Sequence, residues 1–247
     1  MAEIRHLDKA PITEALIDLR VVIPTDSIGK LKELADRVKD RFPKQYTLHH
    51  GEFKFQIAAE GPNSEQVTTG VLGYICSGND DTRKVQFRGD GFTFNKLKPY
   101  ETWEMMRDEA RELWGMFSVS VAAGIPIHRV AIRYINLLEI PLGGPLGDFL
   151  TAPPVSPKGL PQGVYEYLHR IVLKEEELNA VAIITQNMLP SLPEHGASKR
   201  LLFDIDIFRD NANLNQEEVW DVLEGFRKFK NEIFFKSLTE RTVEKYT

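Results

Sequence analysis

Two carboxylates that alternate with apolar residues are the first candidates for chemistry in this sequence. Asp204 and Asp206 lie in the run FDIDIF, residues 203–208. In a strand both would point to one face, about 7 Å apart along the chain. Such a pair could bind a divalent cation, or it could form the acidic half of a charge ladder with arginines on neighbouring strands. A metal site needs more oxygen ligands than this spacing supplies, so the sequence favours the ladder.

The arginines of such a ladder lie on other predicted strands. Arg20 points outward from the predicted strand 15–24, and Arg88 points outward from the predicted strand 83–88. Two more outward arginines, Arg129 and Arg133, belong to the predicted strand 129–141. We therefore predict one ligand- or partner-binding set on the outward face of the sheet, consisting of Arg20, Arg88, Arg129, Arg133, Asp204 and Asp206.

No pattern in the sequence identifies a catalytic group. The histidines lack the HxxxH spacing of zinc sites, there is no CxxC pair, and no GxSxG elbow occurs. We predict neither a metal nor a cofactor, and whether the protein is an enzyme stays open at this point.

The stretch 129–141 is the strongest strand signal and organises the rest of the chain. Its alternation places Val130, Ile132 and Tyr134 on a core face and the arginines on the other. Asn136 is the one polar residue on the inward register. It is either a buried amide satisfied by its neighbours or a group that lines a cleft between two halves.

The remaining elements predict an α+β chain of two similar halves, residues 1–125 and 126–247, packed as one globular unit. Each half has a strand, a helix or loop, several antiparallel strands and a long helix. A Gly/Pro-rich loop, 143–163, takes the place of the first helix in the second half. Asn215 and Glu218 predict a capping box at the start of the last helix. The predicted strands are 15–24, 52–59, 69–76, 83–88, 92–95, 129–141, 164–174, 179–186 and 200–208.

The halves align at a constant offset. Pro24 and Pro141 end comparable strands, 141 − 24 = 117, and Trp103 and Trp220 open comparable helices, 220 − 103 = 117. We therefore predict two pseudo-repeated halves that share one extended antiparallel sheet or a partial barrel, with the helices on one face. This order of elements is similar to the duplicated saddle of TATA-binding-protein-like folds, by topological analogy alone.

Composition limits the classes of function. The formal charge of −5 among 247 residues disfavours a general polyanion binder, because such binding comes from clustered Lys and Arg. The single cysteine, Cys76, lies in an apolar run and predicts a buried thiol. The start of the chain lacks a signal-peptide pattern, and no apolar stretch is long enough to cross a bilayer, so we expect a cytoplasmic protein without membrane contact.

Three stretches resemble an uncharacterised, sporadically distributed family of bacterial proteins. They are APITEALIDLRV, FTFNKLKPYETWEMMRDEARELW, and RVAIRYINLLEIP with the later GDFL. The resemblance spans nearly the whole chain. It implies no activity and no catalytic residues.

Three functions are therefore compatible with the sequence. The first is a non-enzymatic binding or regulatory protein, as a monomer or a homodimer, that holds a protein partner or small ligand on its sheet face or on the 143–163 loop. The second is nucleic-acid binding across a saddle-shaped sheet, which the acidic total disfavours. The third is an enzyme acting on a small anionic or nucleotide-like ligand in a cleft between the halves.

Overall fold

The computed structural model describes residues 1–58, 61–141, 144–161, 163–189 and 198–247, and for residues 50–69 it describes no side chains. The side chains of the strand predicted at 52–59 therefore lie outside the described residues.

Nine strands in the described part of the chain form one antiparallel sheet that packs against helices. Their order across the sheet is β2-β3-β4-β5-β1-β6-β9-β8-β7, so that β1 and β6 lie together near its middle. The strands are β1 (Ile12–Arg20), β2 (Lys44–Ala58), β3 (Gly61–Ser77), β4 (Arg83–Arg88), β5 (Gly91–Leu97), β6 (Ile127–Pro141), β7 (Leu168–Glu175), β8 (Ala180–Leu189) and β9 (Ser198–Leu214).

Four α-helices in the same described residues accompany the sheet, namely α1 (Ile28–Arg37), α2 (Trp103–Val121), α3 (Glu218–Ser237) and α4 (Glu240–Val243). The buried residues of α1, α2 and α3 share one core with the inward residues of the strands. On β6 these inward residues include Val130, Ile132 and Tyr134, all almost completely buried, which confirms the predicted alternation. Cys76 is buried in the same core.

Local sequence signals account for the starts of the two long helices. The side chain of Thr102 accepts a hydrogen bond from the backbone N–H of Met105 and caps α2. Before α3, Asn215 Oδ1 accepts from the backbone N–H of Glu217 and Glu218, each at 2.9 Å, while Glu218 Oε2 accepts from the N–H of Asn215 at 3.0 Å. The predicted capping box is therefore confirmed.

Several boundaries differ from the prediction because strand pairing extends or shortens the local pattern. β1 ends at Arg20 rather than Pro24, and β7 begins at Leu168 rather than Val164. β9 continues to Leu214, well beyond the predicted end at Phe208, because its last residues pair with the start of β6.

The described part of the 143–163 segment is anchored to the end of α3. A short 3-10 turn covers Leu146–Asp148, and the next two residues, Phe149 and Leu150, are buried. Leu150 forms a bridge with Leu238, and Asp148 accepts a hydrogen bond from Arg241 at 2.7 Å. Burial of this apolar pair fixes the segment against the helix.

None of the helices in these described ranges is long and apolar enough to cross a membrane.

Candidate functional site

Three of the four predicted arginines on the sheet face converge on one buried carboxylate. Asp18 Oδ2 accepts hydrogen bonds from Arg20 Nε at 2.8 Å and from Arg129 at 3.0 Å, and Oδ1 accepts from Arg88 at 3.2 Å. Thr93 Oγ1 also donates to Oδ1 at 2.6 Å. We call Asp18 and these three arginines the Asp18 cluster. Its carboxylate side chain is only 7 % exposed.

Each arginine of the Asp18 cluster is paired with further carboxylates. Asp90 forms ion pairs with both Arg20 and Arg88, and Asp210 pairs with Arg129 at 3.2 Å. Burial by itself would raise the pKa of Asp18, but the charge of Arg20, the hydrogen bond from Thr93 and the charge of Arg88 outweigh it, so the pKa is lowered. The cluster is therefore neutralised internally.

The other predicted site residues form a second, smaller group on the same face. Arg133 donates two hydrogen bonds to Asp204, Nε to Oδ1 at 2.9 Å and NH2 to Oδ2 at 2.7 Å. This bidentate pair has the geometry of the charge ladder. Asp206 lies opposite Arg133 in the strand register but forms no ion pair with any described residue. Burial raises its pKa despite the charges of Arg129 and Arg133.

The six predicted residues thus share the outward face, but they do not form one open site. No group of three or more His, Cys, Asp or Glu side chains within the described ranges is arranged to hold a metal ion.

A pocket of about 340 Å³ lies on the opposite, helix-bearing side of the sheet. Its walls come from residues 4–7 and 10–12, from the start of α2 at 100–104, from Tyr134 and Asn136 on β6, and from α3. The α3 residues are Arg227, Lys230, Asn231, Phe234 and Phe235. We call it the Lys230 pocket. The sheet-face arginines do not line it.

Lys230 occupies an unusual position for a lysine. Its Nζ lies 4.2 Å from the centre of the Tyr134 ring and donates a hydrogen bond to Asn231 Oδ1 at 2.5 Å. It forms no ion pair with a carboxylate in the part of the chain that the structure describes. Burial, followed by repulsion from Arg227, lowers the pKa of Lys230 to about 7. At neutral pH the amine is therefore present in both protonation states.

Two tyrosine hydroxyls meet beside this lysine. The hydroxyl oxygens of Tyr100 and Tyr134 are 3.2 Å apart, and their rings pack edge to face with centres 5.8 Å apart. Burial raises the pKa of Tyr100 to about 12 and the pKa of Tyr134 well above its usual value. Both hydroxyls therefore keep their protons at neutral pH and can donate hydrogen bonds.

Asn136 is a buried amide that also lines the Lys230 pocket. It is 2 % exposed, and its Nδ2 donates to the backbone carbonyl of Phe203 at 3.0 Å. No described residue donates a hydrogen bond to its Oδ1, although the side chain lines the Lys230 pocket. Asn136 therefore contributes a polar group to the wall of the pocket.

The start of α2 adds a positive field to the pocket. No described residue accepts a hydrogen bond from the backbone N–H groups of Trp103 and Glu104, and the N-terminal end of a long helix favours anions. Nearby, Glu224 pairs with Arg227 at 2.6 Å and accepts from Trp103 Nε1 at 2.8 Å. This contact joins α2 to α3 at the side of the pocket.

Sequence reasoning missed the contribution of α3, although a signal was present. Lys230 lies four residues after Phe226 and four before Phe234, both buried. It therefore interrupts the apolar stripe of the helix, just as Asn136 interrupts the apolar face of β6. These two polar residues line the same pocket.

A scan against models of protein families found no match for this chain, and a search of curated proteins found none.

Proposed function

We propose that this chain is a binding protein that holds a small organic anion with an apolar body in the Lys230 pocket. The observation that carries the proposal is Lys230 itself, a lysine that lines a pocket with several aromatic walls and has no carboxylate partner among the described residues. A desolvated ammonium without a counter-ion is unfavourable, and an anionic ligand would supply that counter-ion.

The surroundings of Lys230 favour an anion over a cation. Arg227 and the free N–H groups at the start of α2 line the same pocket. Glu224 is already engaged by Arg227 and Trp103, so its charge is largely used. Glu104 is the other carboxylate near the start of α2. It forms no ion pair with a described residue, and its side chain is exposed. A carboxylate or phosphate would therefore be attracted mainly by Lys230 and by the N-terminal end of α2.

The apolar walls of the pocket indicate the chemistry of the uncharged part of the ligand. Trp103, Phe234 and Phe235 are buried residues that contribute to the lining, and Leu7 and Ile12 face them from the N-terminal segment. Small-molecule sites commonly combine such walls with a few convergent polar groups, and a volume of about 340 Å³ is at the lower end of their range. The geometry therefore supports a compact ligand, such as an aromatic carboxylic acid.

The proposal is tested by measuring binding of 3-phenylpropionate at pH 6.5 by thermal shift and calorimetry. We expect the acid to raise the melting temperature, because a ligand bound only by the native state stabilises it, whereas 3-phenylpropanol has no charge for Lys230 to meet. Lys230→Met should weaken binding at least about tenfold, the loss expected for a charged hydrogen bond.

Lys228→Met is the matched control, because Lys228 is exposed on the same helix and does not line the pocket. It should bind like the wild type. Equal shifts with acid and alcohol, or unchanged affinity in Lys230→Met, would contradict an anion site at this lysine.

We further propose that the chain is built from two pseudo-repeated halves, 1–125 and 126–247. The strand order supports this, because β5 flanks β1 as β9 flanks β6. Leu16 and Arg133 are register partners, and 133 − 16 = 117, the offset between the prolines and tryptophans of the two halves. A pseudo-twofold axis would pass between them, as in the saddle of TATA-binding-protein-like folds.

Nucleic-acid binding on the sheet face has less support. Arg20, Arg88, Arg129 and Arg133 are all ion-paired with aspartates. Phosphates would have to displace these carboxylates before counter-ion release could favour binding.

A protein partner on strand β7 is the second candidate. β7 is an edge strand with exposed apolar side chains, Leu168 at 71 % and Val172 at 54 %. Ile171 and Leu173 lie opposite the buried Ile184 and Ala182, so they point to the helix side. On the first half, α1 packs over β3 and β4 on that side. A second copy of this chain, which presents the same surface, would cover these residues in a homodimer.

Sedimentation velocity tests the homodimer. Over a range of protein concentrations the wild type should show a dimer that Val172→Lys abolishes, while Lys174→Ala on the same strand leaves it intact. A monomer at every concentration would remove the homodimer from consideration.

A further inference from the structure

We propose that Lys230 is a nucleophile that forms an imine with ligands carrying a ketone or aldehyde next to their carboxylate. This rests on the proposed function, since the same pocket must first bind the acid. It extends that function from reversible binding to the formation of a covalent bond. The compounds that would react are oxo acids with an apolar body.

The geometry around Lys230 suits a nucleophile better than a structural ion pair. Its amine lies over the face of Tyr134 and has one hydrogen-bond partner, Asn231 Oδ1. The amine is therefore not held in an ion pair with a described carboxylate. Lysines become nucleophilic when they are desolvated in an apolar site or lie beside another cation. Both conditions hold here, and Arg227 is the neighbouring cation.

Protonation supports this reading. The pKa of Lys230 is about 7, so much of the amine is neutral at neutral pH, whereas an ordinary lysine is almost entirely protonated. The charged and titratable groups that line the pocket around it are Arg5, His6 and Glu101, with Glu104 on α2 and Arg227 on α3. Arg5 and Glu101 are held by ion pairs with Glu240 and Lys96, respectively.

The reaction is an addition followed by loss of water. The lone pair of neutral Nζ attacks the carbonyl carbon, a C–N bond forms, and the carbonyl π electrons move to oxygen. The nitrogen loses one proton and the oxygen gains one, giving a carbinolamine. A further proton then allows that oxygen to leave as water, and the nitrogen lone pair forms the C=N bond of a protonated imine. No oxidant or reductant is required.

The paired tyrosines supply what the carbonyl oxygen needs. Tyr100 and Tyr134 carry protonated hydroxyls 3.2 Å apart in the pocket wall. A hydrogen bond from either one stabilises the negative charge that develops on the carbonyl oxygen during attack. Arg227 and the α2 N-terminus are left to hold the carboxylate.

The test is reductive trapping of the intact protein with phenylpyruvate and sodium borohydride at pH 7.0. Hydride from borohydride converts the imine to a stable secondary amine, which peptide mass spectrometry locates. We expect one adduct, on Lys230, and we expect an excess of 3-phenylpropionate, which lacks the ketone, to suppress it at least tenfold in the wild type.

Lys230→Arg removes the nucleophile. Arginine stays protonated at neutral pH and cannot form the imine, so the phenylpyruvate adduct should be lost. Lys228→Arg should be trapped like the wild type. The suppression experiment needs only wild-type protein, so the test survives a variant that does not fold.

Two results would overturn the proposal. One is binding of 3-phenylpropionate without any phenylpyruvate adduct, which refutes the imine and leaves the anion site standing. The other is adducts spread over exposed lysines such as Lys228 and Lys236 and unaffected by 3-phenylpropionate. Failure of the acid itself to bind would refute the proposed function together with the imine.

Discussion

Charged side chains are compensated to different degrees on the two faces of the sheet. On the sheet face, Asp18 receives three arginines, and those arginines have further partners in Asp90 and Asp210. On the helix side, Lys230 lies among aromatic residues without any ion pair to a described carboxylate. The sheet face therefore carries many charged side chains that are paired with one another, whereas the pocket contains a lysine without a carboxylate partner among the described residues.

This difference separates stability from function. A charge network that is complete within the chain has little capacity left for a ligand, and its members mainly specify one another's positions. A lone lysine in an apolar pocket has a strongly perturbed pKa, which is typical of functional sites. The two regions should therefore respond differently to the removal of one charged group.

The largest effect is expected from Asp18→Asn. This change keeps the shape of the side chain but leaves Arg20, Arg88 and Arg129 with one carboxylate fewer at a nearly buried position. We expect a loss of about 3 kcal/mol in the free energy of unfolding at pH 7, the lower end for breaking a buried ion pair, because Asp90 and Asp210 still compensate part of the charge. Urea denaturation measures it.

The pH dependence of that loss has a definite sign. The folded-state pKa of Asp18 is lowered, so its contribution is fully present above the unfolded value of about 3.9 and disappears as the pH falls through the folded value. The control is Asp36→Asn, which breaks an exposed pair with Lys32 and should change stability much less. Equal effects of the two variants would show that the Asp18 cluster is not a structural network.

A smaller effect on the free energy of unfolding is expected at Lys230, where the folded state disfavours the charged form of the side chain. Because the folded-state pKa is about 7, the unfolded chain binds more protons than the folded chain between about pH 7 and the ordinary lysine value near 10.4. Wild-type stability should therefore gain at most about 2 kcal/mol between pH 7 and pH 9 relative to Lys230→Met. Urea denaturation at both pH values measures this gain.

Lys228→Met should show the pH response of the wild type, because Lys228 is exposed. If Lys230→Met and the wild type respond to pH in the same way, Lys230 has an ordinary pKa and the contrast between the two faces is lost.

The sequence predicts the elements of the fold better than the site. Strict alternation in β6 identifies Val130, Ile132 and Tyr134 as buried, because a half-buried strand must place apolar residues at every second position. The outward arginines and aspartates are likewise found on one face. Their pairing partners are not predictable, since Asp18 meets Arg88 and Arg129 only through the order of strands in the sheet.

The Lys230 pocket is harder to predict for the same reason. Its walls come from segments far apart in the sequence, and they include residues 4–12, 100–104 and Lys230 on α3. Asn136 carried a signal, because an amide interrupts an apolar register. Lys230 carried one too, between Phe226 and Phe234, but a single lysine on an amphipathic helix is usually at its surface.

The pairing of β1 with β6 also has a consequence for the order in which the molecule folds. During synthesis β1 through β5 and α2 emerge before any residue of β6, so one edge of β1 has no partner until residues 127–141 appear. Contacts that close across more than a hundred residues are slow to form. We expect the joining of β1 to β6 to limit the refolding rate. The Lys230 pocket, with walls from both ends of the chain, is then completed only in that last step.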